Sequence, residues 1–244
     1  MSRPSFVLVT ALAGALAAGR TEAAPRKARN VILFLADAGG IPTMNAASLY
    51  AYGAPQRLHI QTWPHVGLSD TSPARGFVTD SANGMTAIMT GVKTLNGVIS
   101  QGPDAVRGKK DGALLKTALE YAEDHGLRTG VVTDMPATDA TPAACYAHSN
   151  DRGAYDDIMT QVFTPKSGDG VDVLIGSGRA AIDTQLKTKG SSLEALSAKY
   201  GRPIESSLDG AKPQRDRLIV VADKVDVRAA ALKALDLLSR SPKG

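Results

Sequence analysis

Three short stretches of this chain end or begin on residue types that could do chemistry. "NVILFLAD", residues 30–37, is an apolar run that stops at Asp37, just before Gly39-Gly40. "GFVTDSANGMTAIMTGVKT", residues 76–94, sets Asp80-Ser81 at the head of a helix-like stretch. "TDATPAACYAHSNDR", residues 138–152, carries Asp139, Thr141 and Arg152. A serine at a helix N-terminus faces unpaired N–H groups and a positive dipole end, so Ser81 could act as a nucleophile toward an anionic group. Asp and Ser are also the usual N-cap residues, so Asp80-Ser81 reads equally as a cap. Asp37 could bind a cation or simply form the turn before two glycines. "TDATP" could supply hard oxygen ligands or be a capped helix start. Arg152 could grip an anion with its planar fork or be a solvated surface residue.

These residues need elements that bring them together. The apolar runs "NVILFLAD" (30–37), "LRTGVVTD" (127–134), "VDVLIGSG" (171–178) and "RLIVVAD" (217–223) read as strands buried on both faces. "GALLKTALEYAEDHG" (112–126), "SLEALSAKYG" (192–201) and "VRAAALKALDLLSR" (227–240) have helical spacing. The alternation predicts an α/β fold with a largely parallel central sheet flanked by helices. The polar, Gly- and Pro-punctuated residues 183–216 read as an excursion on the sheet rim. Ligands of such sheets bind beyond the carboxyl ends of the strands, where Asp37, Ser81 and the 133–144 loop could converge.

Composition narrows the class. With 43% hydrophobic and 21% charged residues, the chain is globular rather than disordered. Residues 1–24 have a basic lead, an apolar run too short to span a bilayer, and a small-residue end, so they are expected to be a cleaved signal peptide. The expected domain is then 25–244, exported to the periplasm or outside the cell, with no other segment suited to a membrane span. Losing residues 1–24 lowers the formal charge of +4 by one. The scattered basic residues without interleaved aromatics speak against nucleic acid as a partner. One cysteine, Cys145, excludes an internal disulfide and reads as a small core residue.

Taken in order and spacing, the three stretches resemble the alkaline phosphatase family. "NVILFLADAGG" is similar to the strand ending in that family's metal-bridging Asp. "VTDSANGMTAIMTGVKT" resembles its Asp-Ser nucleophile segment with a Thr-Gly-x-Lys-Thr tail. "TDATPAACYAHSNDR" is similar to its metal loop with an Arg at the usual distance. The resemblance implies hydrolysis of phosphate monoesters through a phosphoserine at a site of two zinc ions and one magnesium. It makes Ser81 the nucleophile and a zinc ligand, and Asp37 a bridge between zinc and magnesium. Thr141 would be a magnesium ligand, Asp139 a second one directly or through water, and Arg152 the phosphate-binding residue. It also allows a homodimer.

Two departures stand beside the nucleophile, where Asn83 and Met85 replace smaller residues, and "DAGG" lacks the family's Met. The four histidines, His59, His65, His125 and His148, show none of the Asp-x-x-x-His spacing of a dizinc site. By resemblance "LLSRSPKG" is the turn that precedes the second ligand set, and the chain is expected to be an N-terminal portion of a family member whose own activity is in doubt. The alternatives are a related metal-dependent phosphoryl- or sulfuryl-transfer enzyme, and a non-catalytic exported protein that binds phosphate or a cation.

Overall fold

The computed structural model describes residues 28–214 and 216–244. The expected signal peptide lies outside them. The chain divides after Ile32; of the first unit, residues 28–32 are described and form neither helix nor strand, and the second, Leu33–Gly244, holds every element below.

A four-stranded sheet forms the frame. Its strands are β1 (Gly130–Pro136), β2 (Val173–Ser177), β3 (Ile204–Glu205) and β4 (Leu218–Val221), in the order β1-β2-β4-β3 and parallel throughout. Every residue of β2 and β4 is buried, which accounts for their unbroken apolar runs. The period of two divides them between two cores. Val173, Ile175, Leu218 and Val220 face α8 (Val227–Leu238) through Ala230, Ala234 and Leu237. Leu174, Ile219 and Val221 join the larger core with α2 (Ser81–Thr90), α4 (Ala140–Tyr146), α5 (Tyr155–Gln161), α6 (Arg179–Thr188) and α7 (Leu193–Tyr200). α1 (Ile41–Tyr52) and a 3₁₀ turn at His59–Thr62 precede this body. The predicted rim excursion supplies α7 and the edge strand β3.

Two expectations need correction. The run at 30–37 is not a strand: residues 30–36 join no ladder, and Leu33, Phe34 and Leu35 are 56%, 72% and 43% exposed. A β-branched, apolar sequence fits a pleated surface only where neighbouring strands provide one, and none of the described strands pairs with it. The helix expected over 112–126 is α3, Ala118–Asp124. Thr117 and Glu120 form a reciprocal capping box that fixes the start. The preceding amides are already used, Gly112 N–H by Gln101 Oε1 at 2.9 Å and Leu115 N–H by the Ser100 carbonyl at 3.0 Å.

Gly176 does the most to place a functional loop. A Cβ there would lie 2.7 Å from Ala137 Cα, so only glycine lets the loop after β1 fold across the end of β2. The loop is held by Ala137 N–H donating to the Ser177 carbonyl at 3.0 Å and by Ser177 Oγ donating to the Asp134 carbonyl at 2.9 Å. It delivers Asp139 and Thr141 to the rim at the carboxyl end of β1. α2 packs on α4 through Ala82, Met85 and Met89 against Ala140, Ala143 and Ala144, all buried. The alanines let the two helix N-termini come close.

Candidate active site

The question posed by Asp80-Ser81 has a double answer. Asp80 is the N-cap of α2, its Oδ1 accepting from Asn83 N–H at 3.1 Å, and Ser81 is the first helical residue. With the cap provided by its neighbour, Ser81 is free for another partner. Its Oγ donates to Asp37, 3.0 Å from Oδ2 and 3.2 Å from Oδ1. Thr141 Oγ1 donates to the same Oδ2 at 3.3 Å. One exposed carboxylate therefore gathers hydroxyls from the first turns of α2 and α4.

Arg152 forms the second part of the site. One amino group donates to Asp139 Oδ1 at 3.1 Å and the other to Asp80 Oδ2 at 3.4 Å. Partial burial works against its charge, but the bond and proximity to Asp139 and the charge of Asp80 outweigh it and hold the guanidinium above its ordinary value. Two of its five N–H groups are committed to these carboxylates, leaving donors on both amino groups. Asp139 also caps α4, its Oδ1 accepting from Ala140 N–H at 2.8 Å. The structure thus brings together Asp37, Ser81 and Thr141, and separately links Arg152 to Asp139 and to Asp80, the residue next to Ser81.

Sequence reading missed the supporting residues. Arg152 N–H donates to the Gly97 carbonyl at 2.8 Å, and Gly97 N–H donates to Asp80 Oδ2 at 2.8 Å. Asn96-Gly97 is a turn dipeptide whose sequence signal marks a bend and nothing more. Of the two larger residues that follow Ser81, Met85 belongs to the core, and Asn83 is 2% exposed with its amide turned to Asp80 and Asn96.

The oxygens around Asp37, one carboxylate and two hydroxyls, suit a hard cation such as magnesium. They do not make a zinc shell, which favours imidazole or thiolate ligands in a set of four. Among the described residues no group of three or more His, Cys, Asp and Glu could hold a metal ion. Three of the four histidines have partners elsewhere. His148 is buried, with Nδ1 2.7 Å from the Ser100 carbonyl and Nε2 2.7 Å from Glu120 Oε1. His125 Nδ1 lies 2.7 Å from the Tyr121 carbonyl, and His59 packs edge-on against Trp63. Cys145 is buried, its thiol pushed up to about 12 by desolvation, as suits an inert core residue.

Comparison with known proteins gives one consistent result. Residues 28–209 match the family profile described as Alkaline phosphatase. Alkaline phosphatase 4 of Drosophila melanogaster is 37% identical over 175 residues, covering 63% of this chain and 29% of that protein. Streptomycin-6-phosphate phosphatase of Streptomyces griseus is 43% identical over 152 residues, covering 60% of this chain and 32% of that protein. The chain thus spans about a third of the length of these curated relatives. Among solved structures, the alkaline phosphatase from the Antarctic bacterium TAB5 superposes with a TM-score of 0.69 at 26% identity, covering 87% of this chain and 62% of that one. A variant of that enzyme carries Mg in its M3 site.

Proposed function

The chain belongs to the alkaline phosphatase family, and from that premise we propose that its site binds a phosphate monoester and that Ser81 accepts the phosphoryl group. The observation that carries this reading is the convergence of Ser81, Asp37 and Thr141, with Arg152 held next to the nucleophile through Asp80. Arg152 binds two phosphate oxygens with its remaining donors, and the N-terminus of α2 faces the same group with its positive dipole end. Ser81 Oγ attacks phosphorus as the ester oxygen departs, and the proton that Oγ gives up to solvent is matched by the proton that the departing oxygen takes up to leave as the alcohol. Water then displaces Oγ from phosphorus and releases inorganic phosphate. Asp37 and Thr141, with Asp139 directly or through water, would hold magnesium, and Asp37 with Ser81 would contribute to zinc. Bound metals ease ionisation of the serine hydroxyl and expulsion of the leaving oxygen, which matters for a reaction among the slowest uncatalysed.

A second reading rests on the donor set. Among the described residues no imidazole reaches Asp37 or Ser81, so these residues alone favour binding phosphate or a cation without turnover. Export to the periplasm or outside the cell and a homodimer remain parts of the proposal. Among the described residues no helix is long and apolar enough to cross a membrane.

The test is to incubate the chain with radiolabelled phosphate, zinc and magnesium at acid pH, quench, and map the label. Label on the peptide bearing Ser81 supports the covalent reading. Phosphate that binds without labelling supports the second. Turnover of p-nitrophenyl phosphate by this chain is expected to be weak and insensitive to zinc. Robust, chelator-sensitive turnover would show that the donor set suffices.

A further inference from the structure

Asn83 is a polar side chain buried to 2% exposure within the first turn of α2, and its hydrogen bonds are all made beside Arg152 rather than to solvent. Its Nδ2 donates to Asp80 Oδ1 at 3.1 Å and to Asn96 Oδ1. Its Oδ1 accepts from Thr79 Oγ1 at 2.9 Å. The orientation of the amide is fixed, because a carboxylate can only accept and so must face the NH₂ side. Asn96 is anchored in turn by Nδ2 donating to the Val78 carbonyl at 2.9 Å.

An N-cap carboxylate needs only one oxygen for its helix, and the other is ordinarily free to swing. Here residue 83 supplies two donors to the same oxygen, its backbone N–H and its side-chain NH₂, each at 3.1 Å from Oδ1. The pair of hydrogen bonds to Oδ1 turns Oδ2 toward Gly97 N–H and Arg152. Gly97 in turn accepts from the backbone N–H of Arg152 at 2.8 Å.

We propose that Asn83 is a positioning residue: it converts the cap of α2 into an aimed carboxylate that holds the Arg152 fork in place for a phosphoryl group. The statement about the phosphoryl group rests on the function proposed above, whereas the statement about Arg152 does not. A buried amide with this set of partners costs less than an unpaired one, but an alanine of α-helical propensity would serve the helix better.

The test uses arginine-specific modification by phenylglyoxal, followed residue by residue in peptide mass spectra of the full chain. In Asn83→Ala, Arg152 is expected to react at least about threefold faster, while Arg128 and Arg179, elsewhere in the fold, keep their rates. Asn83→Ser keeps a side-chain donor near Asp80 in little more volume than alanine, and should return the Arg152 rate toward that of the parent. A residue that merely filled space would leave Asn83→Ser and Asn83→Ala alike. If Asn83→Ala does not fold, Asn96→Ala removes the exposed anchor of the same amide and should give a smaller acceleration. Unchanged Arg152 rates in every folded variant overturn the proposal. Inorganic phosphate is added as a separate arm. If it fails to slow Arg152 modification in the parent, the phosphate-binding reading fails while the positioning result stands.

Discussion

The hydroxyl of Ser81 and the carboxylate of Asp37 meet at 3.0 Å although 44 residues of chain separate them. Asp37 is exposed, and among the described residues its carboxylate bonds to Ser81 and Thr141, so it can be altered without touching the core. Asp37→Asn replaces a charged bidentate acceptor with a neutral amide. Magnesium binding, followed by calorimetry, is expected to weaken at least about tenfold. Labelling of Ser81 should disappear while the thermal midpoint stays within a few degrees.

Arg152→Ala separates binding from folding. Its two ion pairs are partly exposed, with side chains 26%, 23% and 15% accessible for Arg152, Asp80 and Asp139, so their loss should cost no more than about 1 kcal/mol. Phosphate affinity is expected to fall at least about tenfold, since a fork donating to two oxygens cannot be replaced by a methyl group. Thermal unfolding and phosphate titration of the same variant read the two effects independently. Loss of folding with unchanged affinity would reassign Arg152 to the scaffold.

Glu123 gives a pH prediction. Burial raises its pKa above the ordinary 4.5, against the lowering effect of bonds from Thr129 and Gly170. A carboxyl whose folded value is raised binds its proton more tightly in the folded state, so stability is lost as pH rises through the window from its ordinary value to the raised one. In Glu123→Gln the amide can accept from Gly170 N–H and donate to the Thr129 hydroxyl, which works either way. Urea midpoints between pH 4 and 7 should fall with pH less steeply in the variant than in the parent.

The apolar run before Asp37 is exposed at Phe34, 72%, and the segment before Asp80 at Phe77, 98%. Exposed apolar runs with strand-forming sequence bind apolar dyes and self-associate. Phe34→Lys and Phe77→Lys should each lower dye fluorescence and aggregation, read by light scattering, with little change in the unfolding midpoint. A fall in the midpoint of several degrees would mean these rings are buried in solution.

What the sequence disclosed follows from how locally each feature is determined. β2 and β4 were legible because strands covered on both faces must be apolar at every position, and α8 because one face packs on the sheet. The cap at Asp80 was legible from residue type. The run at 30–37 is apolar like β2 but joins no ladder, since pairing depends on neighbours that composition does not reveal. Asp37, Ser81, Thr141 and Arg152 stood out only together, through a resemblance, because each alone has an ordinary structural use. The Asn83–Asn96 pair and the Gly97 bridge to Arg152 escaped notice because they exist only after distant turns have folded against α2.

The hydroxyl of Thr141 reaches the Asp37 carboxylate across 104 residues, the largest sequence separation among the site's bonds. Closing so long a loop costs chain entropy before any contact repays it, so this bond cannot nucleate folding and must form after β1, its loop and α4 have been assembled. A refolding chain would regain its circular dichroism before it regains cation binding. The interval between the two is a kinetic signature of the site, and it should lengthen when the loop that Gly176 admits is made harder to close.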